Sequence, residues 1–265
     1  MAQKHTKISP PVNPAARLGL SCLVSPAFVP FLSPVSSPLI IGHRGASVEA
    51  PENTLIAFRR ALALGVDAIE LDVRLTREGV PVVFHDASLR RLTGQAGRVG
   101  EKTWRELRAF RVRRTEPIPR LVEVLALIRA RAVIQIEIKP GVAVAPVVRA
   151  VRRARAAGSV ILASFSLAAL REARRLAPAI PRMVVSVGRR PAPALARQLA
   201  ATGAGGLSLD HHAVHSAAFV RFFQARGFSV WCWTVNDRAA IRRLAACGVD
   251  AILSDNPALL KRVLA

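Results

Sequence analysis

Residues 68–75 read Ala-Ile-Glu-Leu-Asp-Val-Arg-Leu, and residues 133–139 read Val-Ile-Gln-Ile-Glu-Ile-Lys. Apolar and polar residues alternate in both, and successive side chains of a strand leave opposite faces of the pleat. Glu70 and Asp72 therefore share one face of the first stretch, and Glu137 and Lys139 share one face of the second. Both stretches are flanked by apolar residues, so they are read as buried strands, and charges buried without partners are costly.

Working outward, short apolar runs of this kind recur between amphipathic segments. The strand readings are Leu39–Gly42, Ala68–Leu75, Val133–Ile138, Val160–Ser164, Met183–Val187, Gly206–Leu209, Ser229–Val235 and Ala251–Ser254. Helical periodicity fills the gaps, over Asn53–Leu64, Leu121–Ala130, Ala145–Ala157, Leu167–Leu176, Pro193–Ala201, Ser216–Ala225, Asp237–Ala246 and Pro257–Leu264. Eight strand-helix units, most strands apolar on both faces, predict an α/β fold of the TIM (β/α)8 type, whose strands are covered inside and out. An open doubly wound sheet is the second fold the pattern allows. Val80–Phe84 breaks the alternation behind the Gly79 turn and is expected to pair as a hairpin or enter the barrel mouth. Residues 86–119 then form a short insertion after the second strand, with Trp104 and Phe110 as anchors, over the active face.

The barrel is placed at residues 38–265 and preceded by a loose extension, residues 1–37. Residues 18–42 carry no charge, but Pro26, Pro30, Pro34 and Pro38 recur every fourth residue and break any spanning helix. No stable membrane insertion is expected. A secretory signal is the alternative, with Lys4, Lys7 and Arg17 ahead of an apolar patch, but no small-x-small cleavage site follows. Three cysteines, Cys22, Cys232 and Cys247, contain no CxxC pair and leave an odd thiol, which favours a reducing, cytoplasmic location over a secreted or periplasmic one.

The chain has 265 residues, 39 Lys and Arg against 17 Asp and Glu, a formal charge of +22 and 51% hydrophobic residues. This excludes a disordered or collagen-like chain. Such a field attracts polyanions, but only five of the basic residues are lysines and the 34 arginines are dispersed along the helices. No nucleic-acid partner is expected; small anionic substrates would be attracted.

Polar residues collect at the carboxyl ends of the strand readings: Gly42-His43-Arg44-Gly45, Glu70-Leu71-Asp72, His85-Asp86 and Glu137-Ile138-Lys139. Three carboxylates converging in one mouth repel one another unless a cation lies between them, and an all-oxygen set suits Mg²⁺ or Ca²⁺. Glu70, Asp72 and Glu137 are thus candidate metal ligands. Arg44 and Lys139 suit phosphate oxygens, while His43 and His85 suit proton transfer near neutral pH. Together they point to phosphoryl transfer, one histidine as base and the other as acid.

His43-Arg44-Gly45-Ala46, Pro51-Glu52-Asn53-Thr54, Ile69-Glu70-Leu71-Asp72-Val73, Phe84-His85-Asp86, Glu137-Ile138-Lys139, Ser164-Phe165, Trp233-Thr234-Val235-Asn236 and Gly248-Val249-Asp250-Ala251-Ile252 occur in this order. In them the chain resembles the glycerophosphodiester phosphodiesterases, from about Leu39 to about Leu260. The resemblance implies a TIM barrel, a divalent metal, and hydrolysis of glycerophosphodiesters to glycerol 3-phosphate and an alcohol. It implies His43 and His85 as the acid/base pair, Glu70, Asp72 and Glu137 as metal ligands, and Arg44 and Lys139 as phosphate contacts. It allows attack by a substrate glycerol hydroxyl through a cyclic phosphate as well as by water. The 86–119 excursion is similar in position to the family's insertion and is short. Glu78 stands where members commonly have Asp, a change expected to be harmless.

Asn53 and Thr54 read as a helix cap or as shapers of a phosphate loop, and Trp233, sharing a strand face with Trp231 and Val235, as a wall of the mouth or as core. Asn53 and Trp233 are kept as substrate-contact candidates. Ser164 and Phe165 read as pocket wall, since no Gly-x-Ser-x-Gly elbow surrounds the serine. Asp210-His211-His212 with His215 has the composition of a transition-metal site, but only Asp210 supplies a nearby carboxylate, so a substrate loop or plain loop is expected. Two rival functions remain: a lysophospholipase D-like hydrolase using the same site, and a basic membrane-surface or nucleic-acid binding protein with a vestigial site.

Overall fold

The computed structural model describes residues 37–265. The expected N-terminal extension, Cys22 included, therefore lies outside the described residues but for residue 37. The chain begins with β1 (Leu39–His43), α1 (Leu55–Ala63), β2 (Ala68–Leu75) and β3 (Pro81–Val83). An insertion follows, made of α2 (Arg90–Thr93), α3 (Trp104–Leu107), β4 (Arg111–Val112) and β5 (Glu116–Pro117). Regular alternation resumes with α4 (Leu121–Ile128), β6 (Val133–Ile138), α5 (Val144–Arg153), β7 (Val160–Ser164), α6 (Leu167–Leu176), β8 (Arg182–Ser186) and α7 (Ala192–Thr202). The last units are β9 (Gly206–Asp210), α8 (Ala217–Gln224), β10 (Ser229–Trp233), α9 (Arg238–Cys247), β11 (Ala251–Ser254) and α10 (Pro257–Leu264).

Eight parallel strands close into a barrel in the order β1, β2, β6, β7, β8, β9, β10, β11, with β11 returning to β1. The open-sheet alternative is excluded by that closure. Period-two alternation sets the layers. Ile69, Leu71, Val73, Ile134, Ile136 and Ile138 point outward and are buried against the helices. Leu39, Ile41, Ala68, Val133, Ile161, Ala163, Met183, Val185, Trp231, Ala251 and Leu253 fill the interior. Helices meet the sheet along one stripe; in α4, Leu121, Val124, Leu125 and Ile128 are the buried positions, spaced as one helical face requires. Among the described residues no helix is long and apolar enough to cross a membrane.

The run at 80–84 pairs antiparallel to β2, Val83 opposite Val73 and Pro81 opposite Leu75, which is the hairpin expected. The insertion has its own small core of Val82, Phe84, Leu89, Leu92, Val99, Leu107, Val112 and Ile118, with Trp104 and Phe110 packed on it. Glu78 accepts a hydrogen bond from the Trp104 amide at 2.7 Å, so its side chain ties the turn to the insertion.

Many boundaries shift by one to four residues from the sequence reading, and three of the shifts have a visible cause or consequence. The helix read from Asn53 starts at Leu55, because Thr54 is its N-cap, accepting from the Ala57 amide. The strand read from Met183 starts at Arg182, whose guanidinium donates to the carbonyls of Pro178, Ile180 and Gly203. The strand read to Val235 ends at Trp233, and Val235 joins the outer apolar layer rather than the face of Trp231 and Trp233.

Candidate active site

Along β1, β2 and β6 the inward positions change character from one end to the other. Leu39 and Ile41 give way to His43; Ala68 to Glu70 and Asp72; Val133 to Gln135 and Glu137, with Lys139 just beyond. Strand register sets His43 beside Glu70 and Asp72 beside Glu137. One oxygen from each of Glu70, Asp72 and Glu137 lies within 4.8 Å of the others, a spacing able to hold a metal ion. Glu70 is 3% exposed and Asp72 1%.

The loop after β1 closes over these carboxylates. Arg44, in the left-handed region at φ 56°, donates its amide to Glu70 Oε2 at 3.0 Å, and its Nε lies 3.3 Å from Asp72 Oδ2. Gly45 permits the approach: a Cβ there would lie 2.7 Å from the Ala57 carbonyl carbon, so the loop lies directly on α1. Lys139 Nζ reaches Asp72 Oδ1 and Glu137 Oε1, each at 2.6 Å.

The charges are unevenly satisfied. Burial, then the neighbouring Asp72 and Glu137 charges, push Glu70 well above the usual carboxylate range. Burial and Asp72 also raise Glu137. Asp72 is lowered, because Lys139 and Arg44 outweigh the cost of its burial. Two buried polar atoms in the same mouth lack hydrogen-bond partners, Arg44 Nε and Gln135 Oε1. Glu70 and Glu137 so destabilised, with a spare donor and a spare acceptor beside them, suit an added cation and an added oxyanion.

Each histidine is backed by a carboxylate. His43 Nδ1 is 2.7 Å from Asp255 Oδ1 and its Nε2 is 3.9 Å from Glu70 Oε2. Asp255 also accepts from Ser47 Oγ at 2.9 Å and Asn236 Nδ2 at 2.7 Å. Against its burial, these partners hold Asp255 at about 2, so it is an acceptor and Nδ1–H of His43 donates to it. His85 Nδ1 lies 2.6 Å from Asp86 Oδ1, giving the same tautomer, and Arg74 Nε donates to the His85 carbonyl at 2.8 Å. Burial, with Arg44 and Lys139 facing it, lowers His85 below its ordinary value against the pull of Asp72 and Asp86. In each ring the backing carboxylate takes Nδ1, which leaves Nε2 on the opposite edge, that of His43 toward Glu70.

His43, Arg44, Glu70, His85, Glu137 and Lys139 line one cavity of about 80 Å³, with Gln135, Phe165 and Trp233 among its walls. Trp233 donates Nε1–H to the Ser208 carbonyl at 3.0 Å and meets Phe165 edge-on at 5.9 Å. Asn53 is bonded to Asp72: Nδ2 donates to Asp72 Oδ2 at 2.7 Å, and Oδ1 accepts the Asp72 amide at 3.2 Å. Ser164 Oγ donates to the Ile138 carbonyl at 2.7 Å. A larger cavity of about 380 Å³, lined by Arg189, His212, Val214, His215 and Arg243, takes in the histidine-rich loop after β9. Among the described residues the only group of three or more potential metal ligands is the acidic one, so this loop forms no such cluster.

Sequence reasoning did not find Asp255, Gln135, Arg74, Glu52 or Arg91 as members of this network. Asp255 is signalled as a polar residue just past β11, and Gln135 by its inward place in the alternation of β6; Arg91 has no local signal among so many arginines.

The chain matches the Glycerophosphoryl diester phosphodiesterase family over residues 43–259. It is 31% identical over 242 residues to a glycerophosphodiester phosphodiesterase of Caldanaerobacter subterraneus, covering 84% of this chain and 96% of that protein. A glycerophosphodiester phosphodiesterase structure from Agrobacterium tumefaciens superposes with a TM-score of 0.75 at 29% identity, over 85% of this chain and 99% of that one. An Oleispira antarctica phosphodiesterase, solved in complex with its product sn-glycerol 3-phosphate, superposes with a TM-score of 0.79 at 28% identity, over 86% and 96%. The barrel whose mouth gathers these carboxylates and histidines thus belongs to the glycerophosphoryl diester phosphodiesterase family.

Proposed function

We propose that the chain hydrolyses glycerophosphodiesters to glycerol 3-phosphate and an alcohol, with Glu70, Asp72 and Glu137 holding one Mg²⁺ or Ca²⁺ ion and His43 and His85 moving protons. The observation that carries this reading is the packing of three carboxylate oxygens within 4.8 Å at a mouth where Glu70 and Glu137 are held above their ordinary range. When bound there, a divalent cation offsets that repulsion and supplies positive charge to a phosphoryl oxygen. Arg44, whose buried Nε makes no hydrogen bond, and Lys139 bind the remaining phosphoryl oxygens. His43 and His85, each with Nδ1–H fixed by a carboxylate, offer Nε2 to the reacting groups: one takes a proton from the attacking hydroxyl and the other returns one to the leaving alcohol. Asn53 holds Asp72 in place, and Trp233 with Phe165 walls the alcohol side.

The Oleispira relative, a phosphodiesterase holding sn-glycerol 3-phosphate, supports the substrate class. The test is release of glycerol 3-phosphate from glycerophosphocholine and glycerophosphoethanolamine, with lysophosphatidylcholine alongside, before and after chelation and metal add-back. Turnover of the two diesters that stops with chelator and returns with Mg²⁺ or Ca²⁺ is expected. Turnover indifferent to chelation, or confined to the lysolipid, overturns it.

A further inference from the structure

Arg91 lies on the insertion, in the one-turn helix α2, flanked by Leu89 and Leu92, which are buried in the insertion's core. Its side chain is 43% exposed, yet four of its N–H bonds are committed. Nε donates to Asp86 Oδ2 at 2.6 Å and Nη2 to Asp86 Oδ1 at 3.0 Å. Nη1 donates to Glu52 Oε2 at 2.8 Å and Nη2 to Glu52 Oε1 at 2.9 Å. The guanidinium therefore grips two carboxylates, both through paired bonds, the geometry in which an arginine fixes direction as well as charge.

Each carboxylate leads into the catalytic mouth. Asp86 Oδ1 is the partner of His85 Nδ1 at 2.6 Å, and Glu52 Oε1 accepts from Arg44 Nη1 at 2.7 Å. The chain Arg44, Glu52, Arg91, Asp86, His85 thus runs unbroken from a phosphate contact to a proton carrier, and its middle member comes from the insertion. Isolated surface ion pairs contribute little to stability. An arginine so fully committed here does something else: it holds Asp86 ionised and in line with the imidazole, as the hydrogen bond to Asp86 and the low position of that carboxyl, about 2, agree.

We propose that Arg91 is a positioning residue that acts through Asp86 on His85 and, secondarily, through Glu52 on Arg44, so that the insertion's packing sets the catalytic geometry. This rests on the assignment of His85 to proton transfer. Without the clamp, Asp86 and the imidazole rotate freely and fewer molecules present Nε2 to the substrate, which lowers kcat more than it raises KM.

The experiment is a double-mutant cycle on the full chain with glycerophosphocholine at saturating metal. Arg91→Met and, as a milder break, Asp86→Asn are each made alone and in a His85→Ala background, with kcat, KM, metal Kd and thermal midpoint measured throughout. Arg91→Met is expected to lower kcat by about 10- to 100-fold with KM changed by less than about 3-fold. Metal Kd should stay unchanged, and Arg91→Lys should not restore the rate, because an ammonium cannot make both paired contacts. In the His85→Ala background the same change should cost less than about 2-fold, since the main group it positions is gone and only the secondary link to Arg44 remains. An equal loss in both backgrounds, or a loss that follows metal affinity, overturns the positioning role. If Arg91→Met does not fold, Asp86→Asn carries the cycle with the same expectation. If His85→Ala itself turns over at the wild-type rate, the proton-transfer assignment fails, a result distinct from additivity.

Discussion

The two ends of the same barrel strands treat polar residues in opposite ways. At the amino ends, Asp67 accepts the Ile40 amide at 2.9 Å, Asp250 accepts the Val230 amide at 2.6 Å and Gln224 Nε2 at 3.0 Å, and Arg182 donates to three carbonyls. At the carboxyl ends, Glu70, Asp72 and Glu137 face one another, answered only in part by Arg44 and Lys139. A polar group bonded to backbone has finished its work and stabilises the fold; one set against other ionisable side chains costs stability and retains capacity for a ligand.

The sharpest way to break this contrast is Glu70→Gln. Turnover should fall by on the order of 10³-fold or more, as charge stabilisation by a bound metal is lost. The metal-free thermal midpoint should hold or rise, because a buried carboxylate that its neighbours repel has been neutralised. A lower midpoint would mean that the site contributes to folding. Next, His43→Ala and His85→Ala should each reduce kcat by about 100-fold or more while metal affinity is retained; an unchanged rate in either removes that ring from proton transfer. At the other end, Asp250→Ala should leave kcat untouched and cost about 1–3 kcal/mol in denaturant unfolding, since the buried Val230 amide loses its side-chain acceptor.

The smallest effect expected is on acid stability. Asp255 is held at about 2 against an ordinary 3.8, so its contribution is complete above about pH 4 and is lost as pH falls through 2. Thermal midpoints measured between pH 4.5 and pH 2 should fall less steeply for Asp255→Asn than for the wild type. Equal slopes would detach the His43 hydrogen bond from folding.

Much of this was legible in the chain. The alternation in 68–75 and 133–139 already put Glu70 with Asp72 and Glu137 with Lys139, and the bulk of Trp104 and Phe110 marked where the insertion anchors. Asn53 was legible as a helix cap or a shaper of a phosphate loop, but not as a partner of Asp72. Its grip on Asp72 depends on how the loop after β1 lies across β2. Val235 looked like a continuation of its strand face, yet it packs in the outer apolar layer with its amide bonded to the Leu253 carbonyl at 2.9 Å, off the face of Trp233.

The sequence by itself determined strand faces, helix stripes and which residue types gather at the strand ends, because a pleated backbone has period two and a helix 3.6, whatever surrounds them. Only the tertiary structure decided which partner each side chain meets. Asp255 reaches His43 from 212 residues away because the last strand closes against the first. Arg91 reaches Asp86 and Glu52 because the insertion folds back over the rim. Closure and long-range packing carry no period along the chain.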